Sequence, residues 1–191
     1  YIPSLMGGSV AIALLWKQIF GLEGLVNQAL DRFFGIQGQG WVSHPDYAVY
    51  TLIILATWQF GASMVIFLAG LKQIPSELYE AASVDGASKV RKFFSITMPL
   101  LSPVLFFNLV IETIKAVQIF TPAYIVSEGT GGPITATLFY TLYLYQQGFS
   151  FFNMGYASAM AWILVLALAA VTSLLFLTSK FWVHYEYGGK S

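Results

Sequence analysis

Cysteine is absent from this 191-residue chain. That excludes disulfides, thiolate catalysis and cysteine-ligated metals. Histidine is nearly absent: His44 and His184 stand far apart in sequence, which argues against a histidine metal cluster. Charge is scarce. Asp, Glu, Lys and Arg supply 9% of the residues, against roughly 25% in a soluble domain. A water-soluble chain of this length could not cover its surface with so little charge, so the chain is integral to a membrane and meets lipid. Net charge is zero, which leaves no electrostatic case for nucleic acid. HExxH, Gly-x-Ser-x-Gly and Walker A patterns are all missing. No charged n-region precedes the first apolar run, so that run does not read as a signal peptide.

What is present is apolar: hydrophobic residues make up 57% of the chain. Residue 1 is Tyr, inside an apolar run, and the N-terminus is read as truncated. Segment Ile2–Trp16 is uncharged but slightly short for a bilayer, which needs about 20 residues. Lys17–Phe20 brings it to length. Tyr47–Leu71 and Ala157–Ser179 are uncharged throughout, and Leu101–Val126 contains only Glu112 and Lys115. The fold class expected is an all-α, polytopic transmembrane helical bundle with four spanning helices, forming one domain over 1–191.

Lysine and arginine set the orientation. The 72–100 segment holds Lys72, Lys89, Arg91 and Lys92, and the tail holds Lys180 and Lys190. Segment Val126–Tyr156 holds neither residue type, and Gly21–Asp46 holds Arg32 alone. Loop 72–100 and the C-terminus are therefore expected in the cytoplasm, with the other two loops outside. Loop 127–156 carries the turn cluster Glu128–Pro133 and a short aromatic run, Ile134–Phe149. Runs of that length are interfacial or re-entrant rather than spanning.

Within loop 72–100, Ser76 is the expected N-cap of a short helix, with Glu77 favourable at its positive end. Ala81 and Ala82 favour helix and keep one face slim. Gly86 can take positive φ and end the helix. A second helical stretch, Ala87–Phe94, follows, and Pro99 and Pro103 mark re-entry into the membrane. A slim helix closed by a Gly turn suits docking into a cleft on a partner. The basic residues alone are equally well explained as topology determinants.

Glu80–Pro99 reads EAASVDGASKVRKFFSITMP. It fits E-A-A, three residues, Gly, nine residues, Ile-x-Leu-Pro, with Met98 in the Leu position. Six specified positions at roughly 5–8% usage each coincide by chance on the order of 10⁻⁵ times in such a chain. The pattern resembles the cytoplasmic loop of ABC-importer permeases, where the membrane subunit meets its ATPase. Other blocks agree: Tyr1-Ile2-Pro3, Leu15-Trp16, Phe20-Gly21 and Gly24–Asn27 near the start, then Ala69–Leu71, Ile74-Pro75, Gly131–Pro133 and Gly155–Ala159. Together they are similar to the larger membrane subunit of maltose-type carbohydrate importers. Met98 for Leu conserves volume.

The resemblance implies a maltose-type permease fold whose core has six helices, the first two taken as absent from this sequence. It implies ATPase-coupling roles for Glu80, Ala81, Ala82, Asp85, Gly86, Ile96 and Pro99. It implies no catalytic site and no cofactor in the chain itself. The partners implied are a second permease subunit, forming a heterodimer, two ATP-binding-cassette ATPase subunits, and an extracytoplasmic solute-binding protein. The location implied is the cytoplasmic membrane of a bacterium or archaeon.

Polar residues in a membrane are costly and mark pathways or helix contacts. Asn108, Glu112, Lys115 and Gln118, at spacings of 4, 3 and 3, share one side of a continuous helix. Trp58, Gln59 and Ser63 are the candidates on the Tyr47–Leu71 helix. These types supply the hydrogen bonds and flat apolar surface that sugars need. The alternatives are structural: Glu112 and Lys115 neutralising each other, Asn and Gln as interhelical glue, and Trp58 as core. Carbohydrate import is the leading function. An importer of a glycerol phosphodiester or phosphate ester would favour extra cations on the path, where only Lys115 is present beside Glu112. An intramembrane enzyme is a remote alternative, since those two residues alone make no catalytic set.

Overall fold

The computed structural model describes residues 9–184, which are helical with no strand among them. Three helical stretches are long and apolar enough to cross a membrane: Pro45–Gln73, Lys89–Ser127 and Met154–Trp182. The fourth expected span is represented by α1 (Ser9–Ile19), which is apolar but 11 residues long. The rest of that expected span, with Pro3, lies outside the described residues, as does Lys190 of the tail.

The chain divides into two compact parts. The first comprises the residues up to Gly61 and Lys115–Val165. Here α1 packs on the short helix α8 (Thr121–Ser127). Ile12, Trp16, Val42, Leu52, Leu55 and Val126 form its core. The Trp16 indole donates to the carbonyl of Thr51 at 2.9 Å, tying α1 to α3 (Pro45–Trp58). Pro45 starts α3, where its missing N–H is not needed, and His44 is its N-cap. Lys17 pairs with Glu128 at 2.5 Å, joining the end of α1 to the end of α8. That hydrogen bond, and the lysine charge, hold the Glu128 carboxyl below the usual carboxylate range. The contribution is present above the ordinary carboxylate pKa and lost as pH falls through the lowered one.

Asn27, on α2 (Leu25–Phe34), organises the connection between α1 and α3. Its amide nitrogen donates to the carbonyls of Leu22 at 2.9 Å and Gln39 at 2.8 Å. Its Oδ1 accepts from the Trp41 indole at 2.7 Å. A Cβ at Gly38 would stand 1.9 Å from that oxygen, so the close approach requires glycine.

The second part comprises Ala62–Ile114 and the residues from Leu166 on. It contains α4 (Gly61–Gln73), α5 (Ser76–Val84) and α6 (Lys89–Lys92). Helix α6 runs through a π-turn, Phe93–Thr97, into α7 (Met98–Val117). The last helix, α10 (Met154–Trp182), ends here. Phe106 of α7 meets Phe176 and Trp182 of α10 edge to face.

Four expectations need correction. The second helical stretch does not end at Phe94: helix continues from Lys89 through Pro99 and Pro103 to Val117. The π-turn widens the backbone just before Pro99, where the ring would clash with a carbonyl four residues back. Pro103 cannot donate to the Pro99 carbonyl, and the Ser102 hydroxyl does so instead at 2.6 Å. Secondly, the expected helix Leu101–Val126 breaks after Val117. Pro122 lacks the N–H that would reach the Gln118 carbonyl, and its ring crowds that oxygen. The Thr141 hydroxyl bonds the Ile119 carbonyl at this break. Thirdly, the Tyr47–Leu71 span is interrupted at Gln59–Phe60, between α3 and α4. Gly61, a poor helix former, follows the break. Fourthly, Ser76 is the first helical residue rather than the cap, which is Pro75. The short aromatic helix is present as α9 (Tyr140–Tyr145), with Leu142 fully buried.

Asn27→Ala would leave the Trp41 indole and two carbonyls without their partner. A loss of about 1–3 kcal/mol is expected, read as a lower thermal midpoint of the purified protein in nanodiscs. An unchanged midpoint would show that water replaces the amide.

Candidate functional site

Loop 72–100 forms a helix, a turn and a second helix, and the turn follows from Gly86. Its φ is +72°. The Gly86 N–H reaches the Ser83 carbonyl at 3.1 Å and the Ala87 N–H reaches the Ala82 carbonyl at 2.9 Å. This is the Schellman arrangement, which satisfies the last carbonyls of α5. Space around Gly86 is open, so the requirement for glycine lies in the backbone angle and not in crowding. Ser88 then caps α6, accepting from the Arg91 N–H at 3.3 Å. The second helix thus begins at Lys89, slightly later than the sequence suggests.

Two contacts hold α5 against the helix that follows. Tyr79 and Thr97 share a hydroxyl–hydroxyl hydrogen bond of 2.8 Å. Lys92 donates to Ser83 Oγ at 2.5 Å, and Ser83 donates to the Tyr79 carbonyl at 2.7 Å. Thr97 is buried at the end of the π-turn. The stretch from Lys89 to Val117 is about 43 Å long at 1.5 Å per residue, more than the roughly 30 Å of a hydrocarbon core.

The proposed docking residues are distributed unevenly. Glu80, Ala81, Asp85 and Gly86 are exposed on α5 and its turn, and Ala82 is half-buried. Ile96 and Pro99 are half-buried in the π-turn and the start of α7. Leu78, Val84, Val90 and Phe94 are exposed around them, Val84 at 89%. The sequence reading missed these apolar residues and the Tyr79–Thr97 bond. Tyr79 and Thr97 each adjoin motif residues, but nothing in their spacing signals that they meet.

The polar residues of the spans also separate. Ser63 on α4 is buried and donates to Glu112 on α7 at 2.9 Å, so these two candidates meet. Asn108 is buried and donates to the Val104 carbonyl of its own helix. Glu112 and Lys115 are exposed on α7. Gln118 lies past the helix end, so it does not continue their stripe. Trp58 ends α3, its ring 6.0 Å from that of Trp16, and remains partly exposed. Gln59 occupies the interruption.

Long apolar helices with polar contacts between them define a helical membrane protein. The chain belongs to the family of binding-protein-dependent transport system inner membrane components, whose model matches residues 1–184. It is 57% identical over 187 residues to the probable ABC transporter permease protein YesP of Bacillus subtilis (strain 168), covering 97% of this chain and 60% of that protein. It is 37% identical over 175 residues to the lactose transport system permease protein LacF of Rhizobium radiobacter, covering 90% of this chain and 58% of that one. The chain thus spans less than two thirds of the length of these relatives. The fold is shared with a bacterial alginate ABC transporter solved in complex with an alginate pentasaccharide-bound periplasmic protein, at a TM-score of 0.82 and 22% identity. That match covers 94% of this chain and 62% of the solved one.

Gly86→Val should cost about 1–2 kcal/mol by forcing a Cβ into left-handed backbone. Amide exchange at Gly86 and Ala87 should quicken, while Gly86→Asn should change it little. Equal protection in the wild type and Gly86→Val would show that the φ angle does not hold this turn.

Proposed function

We propose that the chain is the membrane-spanning permease part of a binding-protein-dependent ABC importer of a sugar or oligosaccharide, without a catalytic centre of its own. The observation that carries this reading is the exposed α5–Gly86 turn with E-A-A-x₃-G spacing, in a chain of this family. A helix that is slim at Ala81 and closed by a fixed turn fits a cleft on an ATPase. The Tyr79–Thr97 bond and the unbroken helix behind it can pass a displacement of that helix into the membrane as a rigid movement. A second permease subunit, two ATPase subunits and an external solute-binding protein complete the machine. Substrate-stimulated ATP hydrolysis by the assembled transporter should fall in Gly86→Val while insertion persists. Full transport in that variant would remove the docking role.

The bundle has four spans in this reading, with α1 belonging to the first. Loop 72–100 and the C-terminus face the cytoplasm of a bacterial or archaeal cell, and loop 127–156 faces outward. The basic residues of loop 72–100 support this. A cysteine at Ser88 should resist an impermeant thiol reagent in intact cells, and one at Thr130 should react. The opposite pattern would invert the topology.

Sugar as the substrate class is supported by the lactose permease relative and by the scarcity of cations on the spans. Interrupted helices accompany midplane sites in transporters, which favours Gln59 and Gln118 as path residues, with Trp58 beside the former. Glu112 with Ser63 is the charged candidate, and Lys115 lies one turn further along α7. Asn108, bonded within its own helix, fits a structural role better. Gln118→Ala should change apparent affinity several-fold, in line with about 0.5–1.5 kcal/mol for a neutral hydrogen bond. Glu112→Gln keeps an acceptor for Ser63 and should preserve assembly. Normal uptake kinetics in both variants would move the path elsewhere.

A further inference from the structure

We propose that α2 is an interfacial helix that lies in the membrane surface with its apolar side in lipid. Its sequence, LVNQALDRFF, divides cleanly around the helix axis. Leu25, Val26, Ala29, Leu30, Phe33 and Phe34 fill one half, and Asn27, Gln28, Asp31 and Arg32 fill the other. Leu25, Phe33 and Phe34 are exposed, Phe33 at 76%, and Leu22 and Ile36 extend the exposed stripe beyond both ends. On the polar half, Asn27 is buried and binds the backbone at Leu22 and Gln39. Asn27 fastens the helix to the protein, with Val26 and Leu30 half-buried beside it, while Gln28, Asp31 and Arg32 are exposed on the polar half and Leu25, Phe33 and Phe34 on the apolar half.

The place of α2 in the chain, between the apolar helix α1 and the span that begins at Pro45, identifies the occupant as lipid. Lys17, near the end of α1, pairs with Glu128 at the end of α8. The carbonyl of Leu22, shortly after α1, accepts from Asn27, so α2 is held close to the end of α1. A helix in such a short connection, with an apolar half exposed and a polar half exposed opposite it, matches one buried roughly 5–10 Å into the boundary between headgroups and acyl chains. Asp31 and Arg32 balance each other, so apolar burial drives the contact, without a requirement for anionic lipid.

The natural absence of cysteine permits a direct test. Single nitroxide labels at Leu25, Phe33, Gln28 and Asp31 would be placed in the assembled transporter, with cysteine-free partner subunits, in nanodiscs. Labels at Leu25 and Phe33 should collide with oxygen several-fold more than with a water-soluble nickel chelate, and labels at Gln28 and Asp31 the reverse. The pattern should persist when anionic lipid is replaced by zwitterionic lipid. Equal chelate access at Phe33 and Asp31 would overturn the proposal, because the stripe would then face water. Exclusion of both reagents at Phe33 would also overturn it, because a protein partner would then cover the stripe. Where labelling impairs assembly, Phe33→Trp provides a second measure. Lipids brominated near the headgroup should quench its added fluorescence, and absence of quenching would count against the proposal.

Discussion

Within a bilayer no water is available to a broken helix, so every interruption must find a hydrogen-bond partner in the protein. This chain interrupts its helices repeatedly and repairs them locally. Ser102 supplies the bond that Pro103 cannot make, and its oxygen also accepts from the His184 N–H. Thr141 bonds the Ile119 carbonyl exposed by the break before Pro122. Among the described residues no buried side-chain nitrogen or oxygen lacks a partner. These bonds give the Pro99 and Ile119 carbonyls the partners that a regular helix would have supplied.

The membrane also changes what exposure means. Only 6% of the apolar window of Met154–Trp182 is buried within the chain. In water such a helix would aggregate, whereas in a bilayer it faces lipid or another subunit at little cost. The polar contacts that do occur inside are accordingly more informative than the apolar ones. Ser63 with Glu112, Tyr79 with Thr97 and the Asn27 node each link elements that apolar packing alone would leave free to slide. In loop 72–100, Val84, Val90 and Phe94 are exposed beside Asp85, Lys89 and Arg91, so apolar and charged surface alternate there.

Much of this organisation was legible in the sequence. Scarce charge and long apolar runs establish a helical membrane protein, because few other chains could stay folded with that composition. The turn at Gly86 was readable because glycine at a helix end has one dominant backbone use. The breaks at Gln59 and Gln118 were not read, because hydropathy averages over a segment and does not register a local loss of hydrogen bonding. Pro122 was the available signal for the second break, and it sits only one residue into the following helix. Conversely, Pro99 and Pro103 interrupt no helix, because a π-turn and a serine side chain absorb them.

The sequence by itself determined the membrane setting, the order of helices, the helix–turn–helix form of loop 72–100 and the motif that marks it. These depend on composition and on neighbours a few residues apart. Only the tertiary structure decided which polar groups meet. Ser63 and Glu112 are 49 residues apart, Lys17 and Glu128 are 111 apart. Tertiary structure also decided that Asn108 turns into its own helix and that Asn27 ties α2 to the segments on either side of it. Such pairings are set by how helices are brought together and by which donors remain unsatisfied there, and no local pattern encodes either.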